Sequence, residues 1–208
     1  HNCLFGDFER DYAIGQDVRT TDFVPEHERA LFQGFRRDNG KAATRNYIGV
    51  LTSVNCSATV ARYVADHFRN PETLAAFPNV DGVVALTHGT GCGMASDGEG
   101  MRMLSRTFAG YARHANFAGL LFIGLGCEAA QLGMMMDVEG LKPGPLLHMF
   151  TIQDSGGTTA TVRKGIDLVK DMLPHANAKG REPIPASELI LGLECGGSDA
   201  YSGISANP

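Results

Sequence analysis

Five apolar runs of strand length, separated mostly by segments with helical spacing, constrain the fold of this chain more than any other feature. The runs are "YIGVLTS" at 47–53, "GVVALT" at 82–87, "GLLFIGL" at 119–125, "LLHMFTI" at 146–152 and "ELILGLE" at 188–194. Helical patterns follow the first four: at 57–68, where Ser57 stands in N-cap position, at about 97–113, at 128–136 and at 156–173. Strands that are apolar throughout, alternating with helices, form a mostly parallel sheet covered on both faces. The expected class is therefore α/β: an open, mostly parallel, Rossmann-like sheet of about five strands with flanking helices, preceded by an irregular N-terminal leader. Residues 1–33 read as a linker and the end of a preceding small domain, and 34–208 as the α/β domain itself. The start without Met and the stop at "ISANP" read as a piece of a longer protein, truncated at its C-terminal end. The glycine- and proline-bearing stretches 137–146 and 174–187 read as connections.

Composition removes several functions. The formal charge is −5, and no basic run offers a footprint for phosphates, so nucleic acid is not an expected partner. No apolar run approaches the roughly 18 residues that a membrane span requires. Five cysteines, an odd number, without a signal-like leader suggest a reducing compartment, with the cytoplasm as default. The phosphate-loop pattern is missing, and "GTGCGM" matches only the first glycines of a dinucleotide fingerprint, which weakens a nicotinamide or flavin oxidoreductase.

In an open parallel sheet, ligands bind beyond the carboxyl ends of the strands, where the strand order reverses. The segments following the five runs are rich in reactive groups: Asn55 and Cys56, His88 and Cys92, Cys127 and Glu128, Asp154 and Ser155, and Cys195 with Asp199. Cys56, Cys92, Cys127 and Cys195 are separated by 36, 35 and 68 residues, close to one, one and two strand-helix units. Any single cysteine is accounted for as a small buried side chain at a tight turn. Three or more at equivalent strand ends, flanked by glycine, favour a shared function. Thiolates are soft donors suited to iron, zinc or an iron-sulfur cluster, and His88, Glu128 or Asp154 would complete a mixed set. CxxC spacing is absent.

His88, at a strand end before Gly-Thr-Gly-Cys, reads as a metal ligand or a general base, against the alternative of a hydrogen-bonded structural histidine. His114 and His148 read as structural. The glycines of "GTGCG" and "CGGSD" would let backbone amides approach an anion at a helix N-terminus. Arg45 and Asn46 open the first strand, at the edge opposite the expected site. Arg45 is either an exposed charge or a fork for a substrate carboxylate brought round by a loop or a partner chain.

Taken as longer segments, "GFRRDNGKAATRNYIGVLTSVNCSATV", "PNVDGVVALTHGTGCGMASDGEG", "FAGLLFIGLGCE" and "LECGGSDAYSGISANP" resemble the D-altronate dehydratase and D-galactarate dehydratase family, the altronate hydrolases. The resemblance runs from about residue 30 to the end. It implies a hydro-lyase that removes water from a sugar acid to give a 2-keto-3-deoxy acid, using Fe2+ or alternatively Mn2+. Ala43 departs from the glycine expected before "TRN". Under this resemblance Cys92, Cys127 and Cys195, with His88 and Cys56, are the candidate metal donors, an iron-sulfur cluster being the alternative to a single ion. Arg45, Asn46, Asn55, Ser198 and Asp199 are the candidate substrate-binding residues. His88 is the first candidate for the base and Tyr201 the second. The segment "THGTGCGMASDGEG" looks more like the altronate branch, while galactarate and sulfolactate remain alternatives. The expected partners are a small sugar acid, copies of the same chain in a homo-oligomer, and the remaining parts of a longer parent chain. A scaffold or oligomerisation fragment whose site is completed elsewhere is the non-catalytic alternative.

Overall fold

The computed structural model describes residues 22–192. The chain forms two units, residues 1–30 and 31–208. The described part of the first holds a single 3-10 turn, Glu26–Glu28.

In the second unit, four strands form a parallel sheet: β3 Tyr47–Thr52, β4 Gly82–Leu86, β5 Phe117–Gly124 and β6 Leu147–Thr151. Four helices link or follow them: α1 Ala58–Asp66, α2 Glu99–Ala112, α3 Leu132–Val138 and α4 Thr158–Asn177. The α/β class and the parallel sheet expected from the sequence are present. The fifth run is not a strand over its described part; Ala186–Glu188 is a 3-10 turn and the residues to Gly192 are irregular.

The spatial order is β4-β3-β5-β6, so the second parallel strand in sequence lies outside the first and the third returns to its other side. This places the reversal of strand order between β3 and β5. Both of those strands are central and almost wholly buried, which is why they read as continuous apolar runs, whereas every residue of β4, at the edge, is half-buried. The pleat sends Ile48, Val50, Leu121 and Ile123 to one face, against Val60 and Val64 of α1 and Val169 and Met172 of α4. Leu51, Leu120 and Phe122 point to the other, against Met101 and Phe108 of α2 and Met135 of α3. Phe108 stacks on Phe122 with ring centroids 4.0 Å apart.

A second, antiparallel sheet, β2-β1-β7, joins β1 Leu31–Arg36 to β2 Ala42–Ala43 and β7 Glu182–Pro185. Its strands come from stretches that read as leader or connection, because two prolines interrupt β7 and its partner lies about 150 residues upstream. Helix α4 also continues through Pro174 to Asn177 rather than stopping before it. Ser57 precedes α1 without capping it: its hydroxyl donates to the Ile123 carbonyl at 2.7 Å, tying the helix start to β5. Among the described residues, no helix is long and apolar enough to cross a membrane.

Candidate active site at the carboxyl edge of the sheet

The loop after β4 has to bridge the whole reversal point, and it does so by backbone contacts. It leaves an edge strand, crosses above β3 and ends against the loop after β5. The Asn55 N–H donates to the Thr90 carbonyl at 2.9 Å, and the Ala129 and Ala130 N–H groups donate to the carbonyls of Cys92 and Gly91 at 3.3 and 3.2 Å. Gly91 makes the crossing possible. Its φ is +98°, and a Cβ there would fall 2.2 Å from the Ser53 carbonyl oxygen and 3.0 Å from the Val54 Cα. The glycine therefore permits backbone to lie on backbone, rather than opening an amide nest for an anion.

These three bonds gather the loops that carry Cys56, Cys92 and Cys127, all of which are exposed. The Cys56 thiol is pushed above the ordinary cysteine pKa, first by desolvation, then by charge on and a hydrogen bond with Cys92, and by charge on Cys127. Neighbouring thiols disfavour a second thiolate, so Cys92→Ala is expected to move the midpoint of Cys56 alkylation toward lower pH. Iodoacetamide labelling across pH, read by peptide mass spectrometry, measures this; an unmoved midpoint means that the two thiols do not sense one another.

As a donor set, exposed thiols on three converging loops suit a soft or borderline divalent ion. Among the described residues, no three His, Cys, Asp or Glu side chains already close around a common point. The three thiols, as placed here, do not by themselves form a closed metal site. Cys195, Ser198, Asp199 and Tyr201 lie outside the described residues.

Other expected site residues have different roles. His88 spends both ring nitrogens on backbone: Nδ1 accepts the Thr90 N–H at 3.3 Å, which leaves Nε2 to donate to the Thr52 carbonyl at 2.8 Å. As it stands it holds the loop, and a base or ligand role requires the Thr90 amide to let go. Glu128 is 2% exposed and turned inward. Its carboxylate accepts the Ser53 hydroxyl at 2.8 Å and the N–H groups of Leu125 and Gly126 at 3.1 and 2.5 Å, so it shapes the β5 loop rather than joining the thiols. Asp154 accepts the Thr151 hydroxyl at 2.6 Å within its own turn. Asn55 is exposed beside Cys56, with its Oδ1 3.7 Å from that sulfur, and remains with the site.

Asn46 does not join it. It is fully buried at the amino end of β3, where Oδ1 accepts from Arg37 at 2.8 Å and Nδ2 donates to the carbonyls of Asn79 and Ala176 at 2.7 and 2.9 Å. Both amide protons and the amide oxygen are engaged, and the six residues of β3 put about 20 Å between Asn46 and the carboxyl edge. Arg45 is exposed at that same amino end. Of the two histidines read as structural, His114 accepts the Asn116 N–H at 3.1 Å and His148 contacts the Pro145 carbonyl at 3.2 Å.

Beside the thiol loops lies a cleft of about 420 Å³, between the carboxyl ends of β3 and β4 and helix α2. Thr52, Thr87, His88 and Thr90 line its upper wall. Apart from His88, its polar residues are four threonines and Tyr111, whose side chains carry no signal in the sequence outside their fold.

Comparison with known proteins matches two family models along the chain. The family model described as D-galactarate dehydratase/Altronate hydrolase, second domain, matches residues 34–177, and the one described as D-galactarate/Altronate dehydratase, C-terminal, matches residues 186–208. The chain is 36% identical over 183 residues to an altronate dehydratase of Bacillus subtilis, covering 88% of this chain and 35% of that protein. It is 37% identical over 192 residues to the galactarate dehydratase (L-threo-forming) of Escherichia coli, covering 89% and 36%. It is 30% identical over 178 residues to the (2R)-sulfolactate sulfo-lyase subunit beta of Chromohalobacter salexigens, covering 85% and 41%. The chain thus spans a little over a third of the length of the curated relatives it matches.

Proposed function

This chain belongs to the D-galactarate dehydratase/altronate hydrolase family, and from that premise we propose that it supplies the thiol-bearing part of the active site of a cytoplasmic sugar-acid dehydratase acting on D-altronate. The observation that carries the reading is the gathering of the Cys56, Cys92 and Cys127 loops above the reversal in strand order.

Dehydration of a 2,3-dihydroxy acid removes a weakly acidic proton beside the carboxylate and expels hydroxide from the next carbon, so negative charge builds at both positions. Cys56, Cys92 and Cys127, with Cys195, would hold a divalent iron or manganese ion. Such an ion, when bound, supplies Lewis-acid stabilisation of substrate oxygens. The exposed Asn55 amide, next to Cys56, orients a substrate hydroxyl, a task shared with Ser198 and Asp199. His88 positions the loop, by donating from Nε2 to Thr52 and accepting at Nδ1 from Thr90. Proton removal then falls to Tyr201.

Anaerobic assay of the full-length protein with added Fe2+, against D-altronate, galactarate and (2R)-sulfolactate, tests the reading. The expected result is iron-dependent release of a 2-keto-3-deoxy acid from D-altronate, lost in Cys92→Ala. No turnover of any sugar acid refutes the dehydratase. In the same assay His88→Gln, which keeps a donor toward Thr52, should retain activity within about tenfold, whereas a general base would cost about 10²–10⁴-fold. Turnover by the full-length protein but not by this chain alone marks the chain as part of a composite site.

A further inference from the structure

We propose that the cavity at the amino edge of the parallel sheet binds a small organic monocarboxylate, held at its headgroup by Lys41, His114 and Asn116. This site goes beyond the dehydratase reading and does not depend on it.

The cavity has a volume of about 590 Å³ and lies where three stretches of chain meet. Phe32 of β1, with Lys41 and Thr44 on either side of β2, forms one wall. Residues 113–116, the turn from α2 into β5, form the second, and residues 188–190, after β7, form the third. The eight residues of β5 put about 23 Å between this turn and the loop that carries Cys127, so the cavity is a separate place from the thiol edge.

What marks the cavity is an imbalance of hydrogen-bonding groups. The carbonyls of its second wall are spent: those of Arg113, His114, Ala115 and Asn116 accept from Lys41 Nζ at 3.5 Å, the Phe117 N–H at 3.1 Å, Arg37 Nε at 2.6 Å and the Tyr47 N–H at 2.8 Å. The Thr44 carbonyl accepts from Arg181 at 3.1 Å. The donors are not spent. Asn116 is oriented by its own bonds, since Oδ1 accepts the N–H groups of Thr44 and Arg45 at 3.0 and 3.2 Å; this leaves Nδ2, with two protons, without an acceptor among the described residues. His114 is fixed likewise. Its Nδ1 accepts the Asn116 N–H at 3.1 Å, so the neutral ring carries its proton on Nε2, which has no acceptor among the described residues. Lys41 commits one of its three ammonium protons, at 3.5 Å. A lining with donors to spare and its acceptors taken suits an anion.

Charge sets how much anion the cavity can take. Of the three charged residues in the lining, Glu188 accepts from Arg36 at both carboxylate oxygens, at 2.8 Å on Oε1, and Arg113 pairs with Glu139 at 3.6 Å. Lys41 remains, a single positive charge, which matches a monoanion rather than a dianion. Phe32, Leu189 and Ile190 give the rest of the ligand an apolar wall. A carboxylate on an apolar body meets both conditions.

The test uses the full-length protein and fluorine NMR with 4-fluorobenzoate as the probe. Saturable broadening is expected, with the neutral analogue 4-fluorobenzamide binding about tenfold more weakly or worse. Lys41→Gln should weaken the benzoate about tenfold. Asn116→Asp keeps an acceptor for Thr44 and Arg45 but puts a carboxylate oxygen where the amide protons were, so it should abolish binding while urea unfolding shows the fold retained. Cys92→Ala, at the opposite edge, should leave the affinity unchanged. The proposal is overturned by no saturable binding to wild type, by equal binding of the benzamide, or by an unchanged affinity in Lys41→Gln. Loss of binding in Cys92→Ala would assign the benzoate to the thiol edge and overturns it as well. If Asn116→Asp does not fold, the analogue pair and Lys41→Gln decide. None of these readouts uses turnover, so failure of the dehydratase reading leaves the test intact.

Discussion

Gly91→Ala is expected to remove activity and to cost this domain about 3 kcal/mol or more of stability, an effect out of proportion to one methyl group. The residue sits at a φ of +98°, which an L side chain adopts at a cost of about 1–3 kcal/mol. The added Cβ also meets the Ser53 carbonyl oxygen at 2.2 Å, and that oxygen belongs to backbone at the end of a buried central strand. The loop must therefore lift, breaking the Asn55–Thr90 bond and the two bonds to Ala129 and Ala130 that gather the cysteines. Gly93→Ala is the control, since a Cβ there meets nothing within 4 Å, and it should stay within about 0.5 kcal/mol of wild type. Urea unfolding of the two variants, with thiol labelling to follow the loop, makes the comparison. Equal behaviour of the pair would show that the close backbone approach is not what places Cys92.

The second large effect is expected at Glu128. Alanine there leaves two backbone N–H groups and the Ser53 hydroxyl without their acceptor in a buried site. Each orphaned group costs about 1–3 kcal/mol, so a loss of about 3–5 kcal/mol is expected. Glu128→Gln should be intermediate, because one amide oxygen survives while the new NH2 faces donors. Equilibrium unfolding reads the stabilities. A loss below about 1 kcal/mol for Glu128→Ala would mean that the carboxylate does not hold the β5 loop. Gly124 supports the same contact from below: a Cβ there would lie 2.4 Å from Glu128 Oε1, so the sequence keeps a glycine where the strand ends and the carboxylate turns in.

These two residues show where sequence reading reaches and where it stops. Strand ends are legible because an apolar run giving way to glycine and polar residues is a local event, and that sufficed to put Cys56, Cys92 and Cys127 on one edge of the sheet. Which groups beyond a strand end turn outward is decided by packing. Glu128 follows Cys127 directly, yet one is buried and the other exposed. His88 looked chemical because it stands alone before glycines, but its ring nitrogens were claimed by the carbonyl of Thr52 and the amide of Thr90, partners fixed only once the loop has folded back. The small antiparallel sheet escaped notice for a related reason: pairing Phe32 with Ile184 is a property of the closed chain, not of either stretch. Asn46 is the converse, a residue beside a conspicuous arginine whose amide serves three backbone or side-chain partners at the far end of the sheet.

The loop from Thr87 to Cys92 is fastened chiefly through main-chain groups, with the cleft on one side and the thiols on the other. Main-chain bonds survive most side-chain replacements. Side-chain substitutions in the cleft wall that spare Gly91 and the bracing contacts of His88 are therefore expected to leave the cysteine-bearing loops where they are.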